Sequence, residues 1–185
     1  NDTQLKIVVR NQEKRLKILL DFSGKYPKKD ALAALGAFEG GRLPGTAKKF
    51  AGKEGETLLS GKTLWMGLGR KEKYTLEKAR RAAARALSEA KGLQAERLTL
   101  DVESMLGAFR PAELTGAVVE GARLSDYRFD KYKSKPSPKI GPAVFTLLFP
   151  SRTGRDARAS SAVRKALGEA EVVSGAVVFT RDLAN

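Results

Sequence analysis

Apolar residues along this chain follow two rhythms: short runs that read as strands, and longer stretches stepping by three and four that read as helices. Leu-Lys-Ile-Val-Val over 5–9 and Leu-Lys-Ile-Leu-Leu over 16–20 are of the first kind. A charged turn region separates them, so a hairpin is expected. Leu32, Leu35 and Phe38 step by three between Asp30 and Gly40-Gly41, which predicts a short capped helix over 31–39. From Arg42 to Gly61 the chain is rich in Gly and Lys, with extended pieces around Phe50 and Leu58-Leu59.

Thr63 to Gly67 reads as a buried strand running into Gly67-Leu68-Gly69, after which Thr75 can cap a helix to about Lys91. The apolar positions of that helix, Leu76, Ala79, Ala83, Ala86, Leu87 and Ala90, share one face. Opposite them Glu77, Arg81, Arg85 and Glu89 form a column spaced by four, in which the first pair and the last pair can support one another. Arg97 to Val102 is the next strand, and the order strand, helix, strand predicts a parallel crossover. Pro111 opens a helix to about Leu124, and Ala143 to Phe149 is a further strand. In the last segment Val172-Val173 and Val177-Val178-Phe179 suit a strand by propensity. The spacing of Ala166, Ala170, Val173, Val177, Thr180 and Ala184 instead predicts one long helix over about 156–183. No internal repeat is visible, and Pro138 to Pro142 is too short to divide the chain, so residues 1–185 are expected to form a single α/β domain.

Composition narrows the chemistry. The 185 residues contain no cysteine and no histidine, which removes disulfides, thiolate or imidazole metal sites, and the usual Ser/His/Asp or Cys/His catalysts. No apolar run approaches the roughly 20 residues that a membrane-spanning helix needs, so no membrane partner is expected. Lys and Arg outnumber Asp and Glu by 35 to 21, a net charge of +14 that favours encounter with polyanions.

Four segments carry a resemblance: Phe50-Ala-Gly-Lys-Glu-Gly55, Trp65-Met-Gly-Leu-Gly69 with the Ala/Arg helix after it, Glu120-Gly-Ala-Arg-Leu-Ser-Asp-Tyr-Arg-Phe-Asp-Lys-Tyr-Lys-Ser-Lys135, and Arg181-Asp-Leu-Ala-Asn185. In order and spacing they resemble the amino-terminal domain of leucine aminopeptidases, the cytosol aminopeptidase family. The resemblance implies a macro-domain-like three-layer sandwich, with a mixed, mostly parallel sheet between helices. It further implies a cytoplasmic parent enzyme, commonly hexameric, that removes amino-terminal residues from peptides. Two divalent metal ions, zinc or manganese, would serve that reaction, held by carboxylates and a lysine of a carboxy-terminal catalytic domain. No catalytic, metal or cofactor position carries over to this chain, whose implied roles are docking on that domain and oligomer assembly.

Candidate sites remain to be weighed against plain structural readings. Gly67 and Gly69 follow a strand and precede a helix, where N–H groups can hold a phosphate, as a macro-domain-like binder of nucleotides or ADP-ribose would require. Glu72 stands where a dinucleotide fingerprint needs its third glycine, which favours a tight structural turn. Arg128, Lys131, Lys133, Lys135 and Lys139 crowd one stretch among Tyr127, Phe129 and Tyr132. That composition suits a nucleic-acid contact, DNA included, or a half-buried strand with a solvated face. Lys28-Lys29 and Lys48-Lys49 could add phosphate contacts or simply be solvated. Asp101 with Glu103, and Asp126 with Asp130, are carboxylate pairs lacking a third ligand. Ser161 and Lys165 stand at i, i+4, but an exposed lysine stays protonated and makes a poor base.

Overall fold

The structure is a computed structural model, and it describes residues 16–26, 31–41, 50–127 and 141–184. The strands among them are β1 (Lys17–Asp21), β2 (Leu32–Phe38), β3 (Thr57–Ser60), β4 (Thr63–Gly69), β5 (Arg97–Asp101) and β6 (Val144–Leu148). The helices are α1 (Leu76–Gly92), α2 (Pro111–Asp126), the short α3 (Ser151–Arg155) and α4 (Ala157–Ala184).

The strands form one sheet in the order β1-β6-β5-β2-β4-β3. Every neighbouring pair is parallel except β3 with β4, which run antiparallel through the tight turn at Gly61. This is the α/β, mixed and mostly parallel sheet that the strand, helix, strand order implied. The register aligns Leu98 with Phe145 and Leu100 with Leu147, so alternate residues share a face, and Leu32, Ala34, Leu64 and Met66 continue it across β2 and β4. These side chains are buried in one core with the inner rows of the helices.

The three long helices start where the sequence expects them, and the short α3 was not foreseen. The Thr75 hydroxyl accepts the Lys78 N–H at 3.3 Å, a cap for α1, whose buried row is Ala79, Ala83, Ala86, Leu87 and Ala90. Pro111 opens α2, and the Glu113 carboxylate accepts the Arg110 N–H at 2.8 Å. The middle of the three long helices, α2, packs against both α1 and α4. A Cβ on Gly121 would lie 2.2 Å from the Arg80 carbonyl oxygen, so glycine sets the closeness of α1 to α2.

Three expectations need correction or restriction. Residues 32–38 are a strand and not the helix over 31–39. This β2 sits between β5 and β4, with Leu32, Ala34, Gly36 and Ala37 all buried. Burial alternates from Leu32 to Gly36, but no residue of 32–38 is polar, so the sequence shows no alternation and the three-residue spacing of Leu32, Leu35 and Phe38 is coincidental. In the second place, β1 pairs in parallel with β6, while residues 5–9 of the expected hairpin lie outside the described residues, as does Asp30. The last helix exists as expected, but its packed row is Val163, Leu167, Ala170 and Ser174. Val173, Thr180 and Ala184 of the row chosen by spacing are exposed.

Candidate docking face

The second half of α4 carries apolar side chains on both sides. Its inner side packs on α2, yet Val172 is 73% exposed, Phe179 64% and Leu183 70%, with Val173 half exposed beside them. Positions 172, 176, 179 and 183 step by four, three and four, so Val172, Ala176, Phe179 and Leu183 form one outward stripe. A helix that is apolar all round belongs in a buried setting, and a contiguous exposed apolar patch marks an interaction surface. Spacing alone found the helix but not this face, because apolar residues on both sides leave the inward direction undetermined.

Side-chain contacts tie this part of α4 to α2. The Tyr127 hydroxyl at the end of α2 donates to Asp182 at 2.8 Å, and the Arg181 guanidinium lies 5.7 Å from the Tyr127 ring centre. Arg123 bridges α2 to the Glu171 carboxylate on α4 and to the Leu16 carbonyl. On the other side of α2, Glu120 accepts both Nε and Nη2 of Arg80, at 2.9 and 2.7 Å. Burial works against the charge on Arg80, but hydrogen bonds to Glu120 and Glu77 outweigh it and raise its pKa. Those bonds from Arg80 and Arg81 lower that of Glu77. Glu120, Arg123, Tyr127, Arg181 and Asp182 all belong to segments that carried the resemblance, and here they tie α1, α2, α4 and the residue before β1 together.

The candidates from the sequence fall as follows. The N–H groups of Gly67 and Gly69 donate to the carbonyls of Glu56 and Gly52, at 2.8 and 2.9 Å, and Gly67 accepts the Gly55 N–H at 3.1 Å. The end of β4 thereby clamps the 52–56 segment. Arg128, Lys131, Lys133, Lys135 and Lys139 lie outside the described residues, as do Asp130, Lys28, Lys29, Lys48 and Lys49. Asp101 accepts the Tyr26 hydroxyl and the Ser104 N–H, and Glu103 pairs with Arg152. Asp126 pairs with Lys91 at 3.1 Å. Ser161 and Lys165 are exposed, and Lys165 sits 3.7 Å from Glu169. Of the two helix-surface pairs expected on α1, Arg81 bonds Glu77 at 3.0 Å, but Glu89 takes the Thr57 hydroxyl instead of Arg85. Among the described residues no group of three or more Asp or Glu is placed to hold a metal ion.

Comparison with known proteins decides the family. The profile described as the cytosol aminopeptidase family, N-terminal domain, matches residues 34–136, more than half of the chain. The chain belongs to that family, as its amino-terminal domain. It is 34% identical over 120 residues to a probable cytosol aminopeptidase of Geotalea uraniireducens, covering 65% of this chain and 23% of the relative. Among solved structures it resembles the bottromycin maturation enzyme BotP in complex with Mn, at 26% identity and a TM-score of 0.64, covering 84% of this chain and 32% of that one. A tomato leucine aminopeptidase mutant shares the fold, with a TM-score of 0.72 at 19% identity over 92% of this chain and 38% of that one. The chain therefore spans well under half the length of the proteins it matches. No helix among the described residues is long and apolar enough to cross a membrane.

Proposed function

We propose that this family member is the non-catalytic part of a metal-dependent leucyl aminopeptidase, whose parent protein removes amino-terminal residues from peptides in the cytoplasm. The observation that carries the reading is the exposed stripe Val172, Ala176, Phe179 and Leu183 at the end of α4, which a free-standing domain would not keep in water. That face docks on the carboxy-terminal catalytic domain and helps to assemble a homo-oligomer, a hexamer by resemblance. Two divalent ions, zinc or manganese, serve the reaction from the catalytic domain. The carboxylates described here do not fit them, because Asp101, Glu103 and Asp126 are each occupied by partners of this domain.

The test is the double substitution V172E/F179E in the full-length protein. A carboxylate forced into a buried contact costs several kcal/mol. Light scattering should therefore show smaller species, with aminopeptidase activity falling about tenfold or more. The 185-residue chain with the same changes should melt as before, since both side chains are exposed. Unchanged assembly and activity would sink the docking reading. Turnover of a leucine anilide by the purified chain alone would sink its non-catalytic status. The charge of +14 favours a second reading, a DNA-binding module, whose mark is a mobility shift that weakens steeply with salt.

A further inference from the structure

Two of the four segments that carried the resemblance meet around one cleft. The Glu54-Gly55 loop, the Met66-Gly67-Leu68 end of β4 and the outer face of α1 line an open cleft of about 340 Å³. Its α1 wall presents Lys78, Arg81 and Arg85 at positions i, i+3 and i+7, which lie on one face of the helix. Its floor is apolar and well packed, with Met66 and Leu68 buried. Three cations face one lining carboxylate, Glu54, which Lys78 holds at 2.8 Å. Arg81 reaches back to Glu77 outside the cleft. Arg85 forms no ion pair with any described residue, and its helical neighbour Glu89 accepts the Thr57 hydroxyl. The guanidinium of Arg85 instead lies 3.4 Å from where a Cβ on Gly55 would sit, so the bare backbone at that position lets it lie against the loop.

We propose that this cleft binds a small phosphate dianion, free or as the phosphate group of a small ester. The lining side chains sum to +2, three cations less one carboxylate, with Arg81 shared with Glu77 outside the cleft, so an anion entering meets a cationic wall in which Arg85 is the uncompensated charge. The planar guanidinium of Arg85, unpaired among the described residues, offers paired donors suited to phosphate oxygens. The N–H groups of Gly67 and Gly69 are committed to carbonyls, so the anion is held by side chains of α1. The site is separate from the α4 stripe and stands or falls apart from the docking reading.

The experiment compares inorganic phosphate with phenyl phosphate on the 185-residue chain, by thermal melting and by phosphorus NMR line broadening. Both ligands should raise Tm, and R81Q/R85Q should weaken the apparent affinity by about tenfold or more. K165Q, an exposed lysine of α4 outside the cleft, should bind as the parent chain does and so controls for general charge. Circular dichroism checks that each variant is folded. Equal affinities assign the site to the phosphate group itself, and tighter phenyl phosphate assigns it to an ester. No response to either ligand at about 10 mM, or an undiminished response in R81Q/R85Q, overturns the proposal.

Discussion

At position 67 a hydrogen atom occupies the space of a side chain, because a Cβ there would lie 1.9 Å from the Lys53 carbonyl oxygen. The obstacle is backbone, held by hydrogen bonds from both sides of the loop, and cannot swing away. Gly67→Ala is therefore expected to destabilise the domain by about 1–3 kcal/mol or more, read as a lower urea midpoint. Gly168 on α4 is the matched contrast, with nothing within 4 Å of its Cβ position. Gly168→Ala should stabilise by about 0.5–1 kcal/mol, the helix propensity difference. Opposite signs for one chemical change would show that Gly67 serves close approach. The sequence placed a tight turn at Gly67-Leu68-Gly69, but β4 runs on through Gly69, the one residue of the three in the left-handed region, so these glycines serve the end of a strand. The partner of that strand end was not legible, because Gly52 to Glu56 reaches it only once the β3–β4 hairpin has folded.

Among the elements, those with a clear period and a chemical boundary were readable, and those lacking either were not. The α1 helix had both, a step of three and four and a threonine in front. Thr75→Ala removes the acceptor for the Lys78 N–H and should cost about 1 kcal/mol in thermal unfolding, whereas Thr75→Ser should cost little. By contrast, β2 offered small residues that pack under the 103–105 turn. A Cβ on Gly36 would come within 2.7 Å of the Met105 side chain, and the Gly36 N–H donates to the Ser104 hydroxyl at 2.8 Å. Such a strand is shaped by neighbours distant in sequence, so local spacing misreads it. The same limit explains the candidate site. The column Glu77, Arg81, Arg85, Glu89 suggested two self-contained pairs. In the fold Glu89 instead accepts the Thr57 hydroxyl of β3, and Arg85 lines the cleft.

For the molecule as a whole, the absence of histidine removes any imidazole step near neutral pH and moves attention to the tyrosines. Tyr74 is buried between Phe38, whose ring centre is 5.0 Å away, and Phe109 at 5.8 Å, and burial raises its pKa above the ordinary value near 10. Tyr26 is raised too, by partial burial first and then by its hydrogen bond to Asp101. Each is an acid whose neutral form the fold favours. The folded state therefore holds protons that the unfolded chain has released once pH passes about 10. The sign follows: this stability is fully present below pH 10 and is lost as pH climbs toward the folded-state values. The Tyr74 hydroxyl also lacks a hydrogen-bond partner among the described residues, a costly state for a buried polar group. Tyr74→Phe keeps the ring packing and deletes that hydroxyl, so at pH 7 it should leave Tm unchanged or raise it by a few degrees. Melts from pH 7 to 11 should show its alkaline decline starting later than in the parent chain. A clear loss of stability at pH 7 would mean that the hydroxyl has a partner after all, and an unchanged alkaline limb would assign the decline to other groups.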